Sequence, residues 1–375
     1  MAGIYIHIPF CKTRCTYCDF YTGTNETQMD AFVDALCAEA RIRKDEIPET
    51  VKTIYFGGGT PSRLRREHFD RIFDALRHHF SMEPTPEITV EANPDDLSEV
   101  YVEMLSRLPV NRLSIGIQSF NDGELRFLSR RHSARQAIDA VKRCQQHGFG
   151  NISIDLMYGL PQQTEEIWQY NLEQALTLDV PHISSYHLIY EEKTRMYTLL
   201  QAGRIVPVEE EVSTAMFAML IDRLTSHGYI HYEISAFGRE GYFSQHNSSY
   251  WKNRKYLGLG PAAHSFDGDN RSRNVPSLTR YIRGVESGIL NRETEQLTLS
   301  EKYNETILTG LRTIWGLDLT ELTTRFGAEF HRYCLQNAQK YLDRNLLKTE
   351  GGRLKLTRDG IFISDGIMSD LMWVG

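Results

Sequence analysis

Nowhere in the 375 residues does an apolar stretch approach the ~18 consecutive residues that span a bilayer, so no membrane-crossing helix is expected. The start lacks a basic region followed by an apolar run and a small-residue cleavage site, which argues against a secretory signal. Cysteine is scarce: of six, Cys37, Cys144 and Cys334 are scattered without metal-like spacing, which argues against disulfides and for a reducing, cytosolic compartment. Positive charge is not in excess; a net charge of −7 argues against nonspecific nucleic-acid binding. Low-complexity tracts are absent. The glycine run Gly57-Gly58-Gly59-Thr60-Pro61 is neither G-x-G-x-x-G nor a phosphate loop ending in G-K-[ST], so dinucleotide and ATP binding lose support. Peripheral membrane contact and a homodimer both remain compatible with this composition.

What is present begins with β-rich runs, each followed by a stretch of helical periodicity. The runs are Ile4 to Ile8, Thr53 to Phe56, Glu87 to Glu91, Arg112 to Ile117, Asn151 to Leu156 and His182 to Ile189. Amphipathic stretches such as Met29 to Lys44, Arg65 to Phe80, Ala134 to Gly148 and Thr164 to Leu178 lie between them. Such alternation predicts an α/β fold with a parallel sheet covered by helices, as an open sheet or as a full or partial barrel. The βα units occupy residues 1–205. Residues 206–296 read as an extension, with a helix over Glu209 to His227, one strand near Tyr232 to Phe237, and a Gly-rich aromatic segment from Phe243 to Phe266. Residues 297–375 have the order of a small winged-helix-like module; ten Lys/Arg balance ten Asp/Glu there, which favours packing or partner docking over DNA binding.

The chemistry-bearing residues fall at or just past strand ends, where parallel α/β enzymes place their sites. After the first strand come Cys11, Cys15 and Cys18 in a C-x3-C-x2-C spacing. Three thiolates this close can hold three irons of a [4Fe–4S] cube and leave the fourth open. Structural zinc takes four Cys or His ligands, and no C-x2-C partner pair occurs elsewhere. After the second strand, the glycines let a ligand approach the backbone as a Cβ would prevent, although alone they equally suit a tight turn. Glu91, Gln118 and Asp155 are polar residues in otherwise apolar strands; each is either a solvated strand end or a group that meets a ligand, cation or hydrogen-bond donor. Arg130 and Arg131 offer guanidinium to a carboxylate ligand, or are surface charges at a helix start.

The cysteine spacing with Tyr17, the Gly57 to Gly59 run, Glu91-Ala-Asn-Pro94, Gly116-Ile-Gln118-Ser-Phe120 and Asp155-Leu-Met-Tyr-Gly-Leu-Pro161 resemble, nearly end to end, radical S-adenosylmethionine proteins of the oxygen-independent coproporphyrinogen dehydrogenase superfamily. The resemblance implies a partial (β/α)6 barrel. It further implies a cluster on Cys11, Cys15 and Cys18, and S-adenosylmethionine chelating the open iron. Gly58 and Gly59, with Thr60, would meet its methionine amine; Glu91 and Arg130 other polar atoms; Gln118 and Asp155 the ribose; and Tyr17 lies beside the last thiol. Two departures point away from the dehydrogenases: Phe20 stands where they carry a further cysteine, and ten residues precede Cys11 where they have a long extension.

His246-Asn-Ser-Ser-Tyr250-Trp251 resembles the H-N-x-x-Y-W signature of HemW-type heme chaperones, and Gly258-Leu-Gly260-Pro-Ala-Ala-His264 is similar to the same subgroup. A histidine beside two aromatics suits an axial iron ligand with flat walls for a porphyrin, with His264 the second candidate; either could instead be an ordinary hydrogen-bonded histidine. The implied function is a cytosolic heme chaperone that passes heme to an acceptor protein. Its alternative is a dehydrogenase that decarboxylates coproporphyrinogen III.

Overall fold

The computed structural model describes residues 2–374. Six parallel strands, β1 (Ala2–Ile8), β2 (Val51–Gly58), β3 (Met82–Ala92), β4 (Arg112–Gln118), β5 (Ile152–Tyr158) and β6 (His182–His187), lie side by side in chain order. Helices Met29–Ile42, Arg66–His79, Glu99–Ser106, Ala134–Gln146 and Glu165–Thr177 cross over between them, as the alternation predicts. Local chemistry fixes where two of these start. Ser133 and Gln136 form a capping box before Ala134, and the Thr164 hydroxyl accepts from the Ile167 N–H.

Successive strand side chains alternate between faces, and here the two faces differ sharply. Ile4, Ile6, Ile8, Ile54, Phe56, Val90, Leu113, Ile115, Ile154 and Leu156 join Phe32, Phe69 and Trp168 of the helices in one apolar core outside the barrel. Each such fully buried side chain stabilises the fold by roughly 1.5–3 kcal/mol. The residues between them, including Tyr5, His7, Tyr55, Glu91, Ser114, Asp155 and Tyr186, line cavities on the inner face. The outer face therefore holds the fold together and leaves the inner one to polar chemistry.

The sheet continues past both edges of the six strands. Beside β6 stands a hairpin of β7 (Ile230–Glu233) and β8 (Ala236–Gly238), where the sequence suggested one strand over Tyr232 to Phe237; Ile234 and Ser235 instead form the turn. Beside β1, β9 (Lys255–Leu259) pairs in parallel, followed by antiparallel β10 (His264–Phe266), β11 (Asn270–Asn274) and β12 (Arg292–Gln296). The Phe243 to Phe266 segment is thus regular, containing the helix Gln245–Trp251 as well as β9 and β10. The Ser244 hydroxyl accepts from the Asn247 N–H, and the Glu87 carboxylate accepts from the Gln245 and His246 N–H groups, which caps that helix from β3. Gly258, within β9, lets β10 approach closely: a Cβ there would lie 2.0 Å from the His264 carbonyl oxygen.

Residues Leu299–Leu371 build the winged-helix-like module. Helix Leu299–Leu311 leads to β13 (Leu317–Asp318), a helical stretch Leu319–Asp343 broken at Gly327, the hairpin β14 (Leu347–Glu350) and β15 (Arg353–Leu356), and helix Ser364–Leu371. Tyr303, Phe330, Cys334, Leu354 and Ile367 form its own apolar core. Among the described residues no helix is long and apolar enough to cross a membrane.

Candidate functional site: two adjoining cavities in the barrel

All eight residues assigned by resemblance to S-adenosylmethionine, namely Tyr17, Gly58, Gly59, Thr60, Glu91, Gln118, Arg130 and Asp155, line one cavity of about 490 Å³ together with Cys11, Cys15 and Cys18. The cysteine loop is anchored at its base, where the Cys11 N–H donates to the Gly23 carbonyl at 2.9 Å and the Gly23 N–H to the Pro9 carbonyl at 2.8 Å. Two of the thiols and the backbone of the third cysteine then each have a neighbour. The Thr60 hydroxyl donates to Cys11 Sγ at 3.4 Å, Arg130 Nη1 donates to Cys15 Sγ at 3.3 Å, and Arg14 Nη2 donates to the Cys18 carbonyl at 3.2 Å. Arg130 also donates to Asn93 Oδ1 and the Gly116 carbonyl, while its buried Nε has no partner among the described residues. Arg131 turns away and pairs with Asp95 and Asp96.

The donor set fits a cluster. All three cysteines are free, and burial pushes the Cys11 thiol up and the Cys18 thiol up to about 11, so without a metal both hold their protons. Gly59 matters sterically: a Cβ there would lie 2.8 Å from the Ile8 and Phe10 carbonyl oxygens and 3.1 Å from Cys11 Sγ, so only glycine lets β2 close against the cysteine loop. Sequence reasoning missed Tyr55, whose hydroxyl donates to Glu91 Oε1 at 2.7 Å, and the bond that makes Asn93 a support for Arg130. Both face inward, Tyr55 by the alternation of β2 and Asn93 two residues past Glu91 at the end of β3, and that period is the signal that could have found them.

The carboxylates are tuned by their surroundings. Burial, reinforced by Asp155 and opposed by the Tyr55 hydrogen bond, raises Glu91 to about 7; burial likewise raises Asp155 to about 6. A carboxyl whose folded pKa exceeds its unfolded value binds extra proton in the native state between the two, so its contribution to stability falls as pH rises through that window. Cluster-free Glu91→Gln protein, which cannot titrate there, is therefore expected to gain on the parent by on the order of 2 kcal/mol between about pH 5 and about pH 7.5. Urea unfolding midpoints of the two proteins across that range measure it. A pH-independent difference would mean that Glu91 is ionised throughout.

A second cavity of about 800 Å³ adjoins the first, and Asp19, Phe20, Gly58, Glu91 and Tyr186 border both. It contains all four residues assigned by resemblance to heme, His246, Tyr250, Trp251 and His264, but the two histidines differ in kind. His246 is 1% exposed, stacked on Tyr55 at 5.0 Å, with Nδ1 bonded to Thr53 Oγ1 and Nε2 to the Tyr250 hydroxyl, both at 2.8 Å. Burial lowers it to about 3, so it is neutral and both ring nitrogens are occupied. His264 stands exposed at the cavity wall, and no hydrogen bond engages its ring among the described residues. The ring that the sequence placed first is thus the one whose nitrogens already have partners. His7, Arg254, Arg271 and Arg273, which sequence reasoning did not single out, share this cavity.

Comparison with known proteins agrees with this geometry. Residues 5–174 match the Radical SAM superfamily and residues 297–363 the HemN C-terminal domain. The chain is 34% identical over 374 residues to the heme chaperone HemW of Bacillus subtilis, covering 98% of each chain. It is 33% identical to that of Lactococcus lactis, covering 98% of this chain and 96% of the relative. A mitochondrial radical S-adenosyl methionine domain-containing protein 1 from Bos taurus is 30% identical, with 99% and 87% covered. The fold matches Escherichia coli coproporphyrinogen III oxidase HemN at a TM-score of 0.84 and 23% identity, over 99% of this chain and 90% of that one. A [4Fe–4S] cluster and S-adenosylmethionine define the superfamily, and three free cysteines beside a glycine-lined cavity suit both. With 33–34% identity to HemW relatives over 98% of the chain and the superfamily's cysteine loop in place, the chain belongs to the HemW family of radical S-adenosylmethionine proteins.

Proposed function

We propose that this protein binds heme in the larger cavity, carries a [4Fe–4S] cluster and S-adenosylmethionine in the smaller one, and passes heme to an acceptor protein. The observation that carries the reading is the shared border: a thiol-bearing cavity opens at Glu91, Gly58 and Tyr186 onto an aromatic cavity of about 800 Å³, roomy enough for a tetrapyrrole. When bound, the cluster and S-adenosylmethionine supply one-electron chemistry. The chain does the rest in this reading. Cys11, Cys15 and Cys18 hold the iron; Gly58, Gly59 and Thr60 receive the methionine amine; Glu91 and Arg130 orient its polar atoms; and Gln118, Asp155 and Tyr17 close the wall. Occupancy of the smaller cavity would then bias how heme sits in the larger one across Glu91 and Tyr186.

A radical-type cavity beside a tetrapyrrole-sized one would also serve oxidative decarboxylation of coproporphyrinogen III, so the test has two arms. Anaerobically reconstituted protein is titrated with hemin and, separately, incubated under reducing conditions with coproporphyrinogen III and S-adenosylmethionine. Saturable binding near one equivalent with a Soret shift, and transfer to an apo heme protein without protoporphyrinogen, is the expected result. Protoporphyrinogen formation would replace the chaperone with the dehydrogenase.

A further inference from the structure

Antiparallel pairing decides which side chains of the barrel extension face the larger cavity. His264 on β10 lies directly opposite Arg273 on β11, and Phe266 opposite Arg271; Phe266 also pairs with Tyr256 on β9. Paired residues share a face, and residues two apart on one strand share it too. One face of this ribbon therefore presents His264, Phe266, Tyr256, Arg271 and Arg273, all of which line the cavity. Ser265, between His264 and Phe266, points the other way and accepts from Arg43.

The cationic residues are not equivalent. Arg271 is committed: its Nε donates to Glu305 at 2.7 Å and its guanidinium packs over Phe266 at 5.2 Å. Arg273 has only the exposed Glu293 on the neighbouring strand, at 3.0 Å, an ion pair of little net stability that a carboxylate ligand can replace. Arg254, exposed at the rim just before β9, makes no ion pair among the described residues. Partial desolvation at the cavity wall, with Arg273 and Arg271 nearby, lowers His264 and so favours the neutral imidazole, which has a lone pair to offer.

We infer that heme lies against the β9–β10–β11 face with His264 on its iron, Tyr256 and Phe266 against its ring, and Arg254 and Arg273 on its propionates, while His246 acts as a buried strut. The inference rests on the heme-binding reading above and specifies its ligand class: a metallated tetrapyrrole with free carboxylates. His246 suits the strut, because its ring packs against the backbone at Gly3, where a Cβ would lie 3.2 Å away, and ties the Gln245–Trp251 helix to β2 through Thr53.

Three probes separate the roles: hemin, metal-free protoporphyrin IX, and hemin dimethyl ester, whose propionates are capped. They are titrated into the parent full-length protein, H264A, H246Q and the double variant R254Q/R273Q. H264A is expected to shift the Soret band and weaken hemin about tenfold or more, to leave protoporphyrin IX unchanged, and to recover the parent spectrum on adding imidazole. R254Q/R273Q is expected to weaken hemin and protoporphyrin IX by about tenfold yet leave the dimethyl ester unchanged. H246Q is expected to keep the parent Soret position while lowering the melting temperature. A parent-like spectrum and affinity in H264A, together with loss of the Soret shift in H246Q, overturns the assignment while leaving heme binding intact. Failure of the parent protein to bind hemin at all overturns the functional reading itself.

Discussion

Cys11→Ala, Cys15→Ala and Cys18→Ala should each leave anaerobically reconstituted protein without the brown absorbance of a four-iron cluster. The expectation follows from how little redundancy the loop has. Among the six free cysteines only these three line the small cavity, so a lost thiolate has no substitute within reach. Two remaining thiolates would leave two irons of a cubane without protein ligands and in contact with solvent. Cys37→Ala is the matched control: Cys37 lies on the helix Met29–Ile42, with its thiol donating to the Arg71 carbonyl, and the variant should load iron like the parent. Iron and sulfide analysis with the visible spectrum decides the matter. Four irons per chain retained in all three variants would remove the cluster assignment, and with it the smaller cavity's chemistry.

The barrel was legible because its two strand faces obey different rules. Ile4, Ile6 and Ile8 alternate with Tyr5 and His7, so the same period that identifies a strand also separates the core from the site. Cys11, Gly59, Glu91 and Asp155, which line the smaller cavity, stand out in the sequence for a related reason: each breaks an apolar strand or follows one. The extension was harder. Gly258, Gly260 and Pro261 read as loop punctuation, yet β9 exists because it pairs with β1, some 250 residues earlier in sequence. Pairing partners so distant leave no periodic trace, and strand propensity yields to tertiary context. The surroundings of the two histidines were hidden for the same cause. Tyr250 and Trp251 are visible beside His246, but Thr53 and Gly3, which bury it, are brought there only by the fold. His264 was visible as a residue, whereas its register opposite Arg273 was not.

Glu39→Ala should cost the protein about 3–5 kcal/mol of stability, the usual consequence of removing one member of a buried ion pair. Glu39 and Arg43 are 0% and 1% exposed and meet at 3.0 Å. Four donors converge on the Glu39 carboxylate: Arg43 Nη1 and Asn274 Nδ2 at Oε1, and the Gly260 N–H and Tyr281 hydroxyl at Oε2. Arg43 in turn donates to the Gly258 carbonyl at 2.7 Å and to Ser265 Oγ at 3.0 Å. Removing the carboxylate takes from the buried guanidinium its only fully buried charged partner, leaving the half-exposed Glu46 at 2.8 Å, and leaves the Asn274, Gly260 and Tyr281 donors without their acceptor. Replacing both charges, as in Glu39→Leu with Arg43→Met, should cost less than the sum of the single changes, because the direct Glu39–Arg43 attraction is then counted as lost only once. A double-mutant cycle on urea midpoints reads that coupling, and a Glu39→Ala protein within about 1 kcal/mol of the parent would mean that the network is slack. The pair also bears on function, since Ser265 and Asn274 are on the far side of the ribbon whose near side carries His264 and Arg273, and the backbones of Gly258 and Gly260 are held to the same pair. A ribbon no longer pinned from behind holds those two side chains in a broader range of positions, so hemin affinity should fall in Glu39→Ala although neither charged residue of the pair lines the cavity.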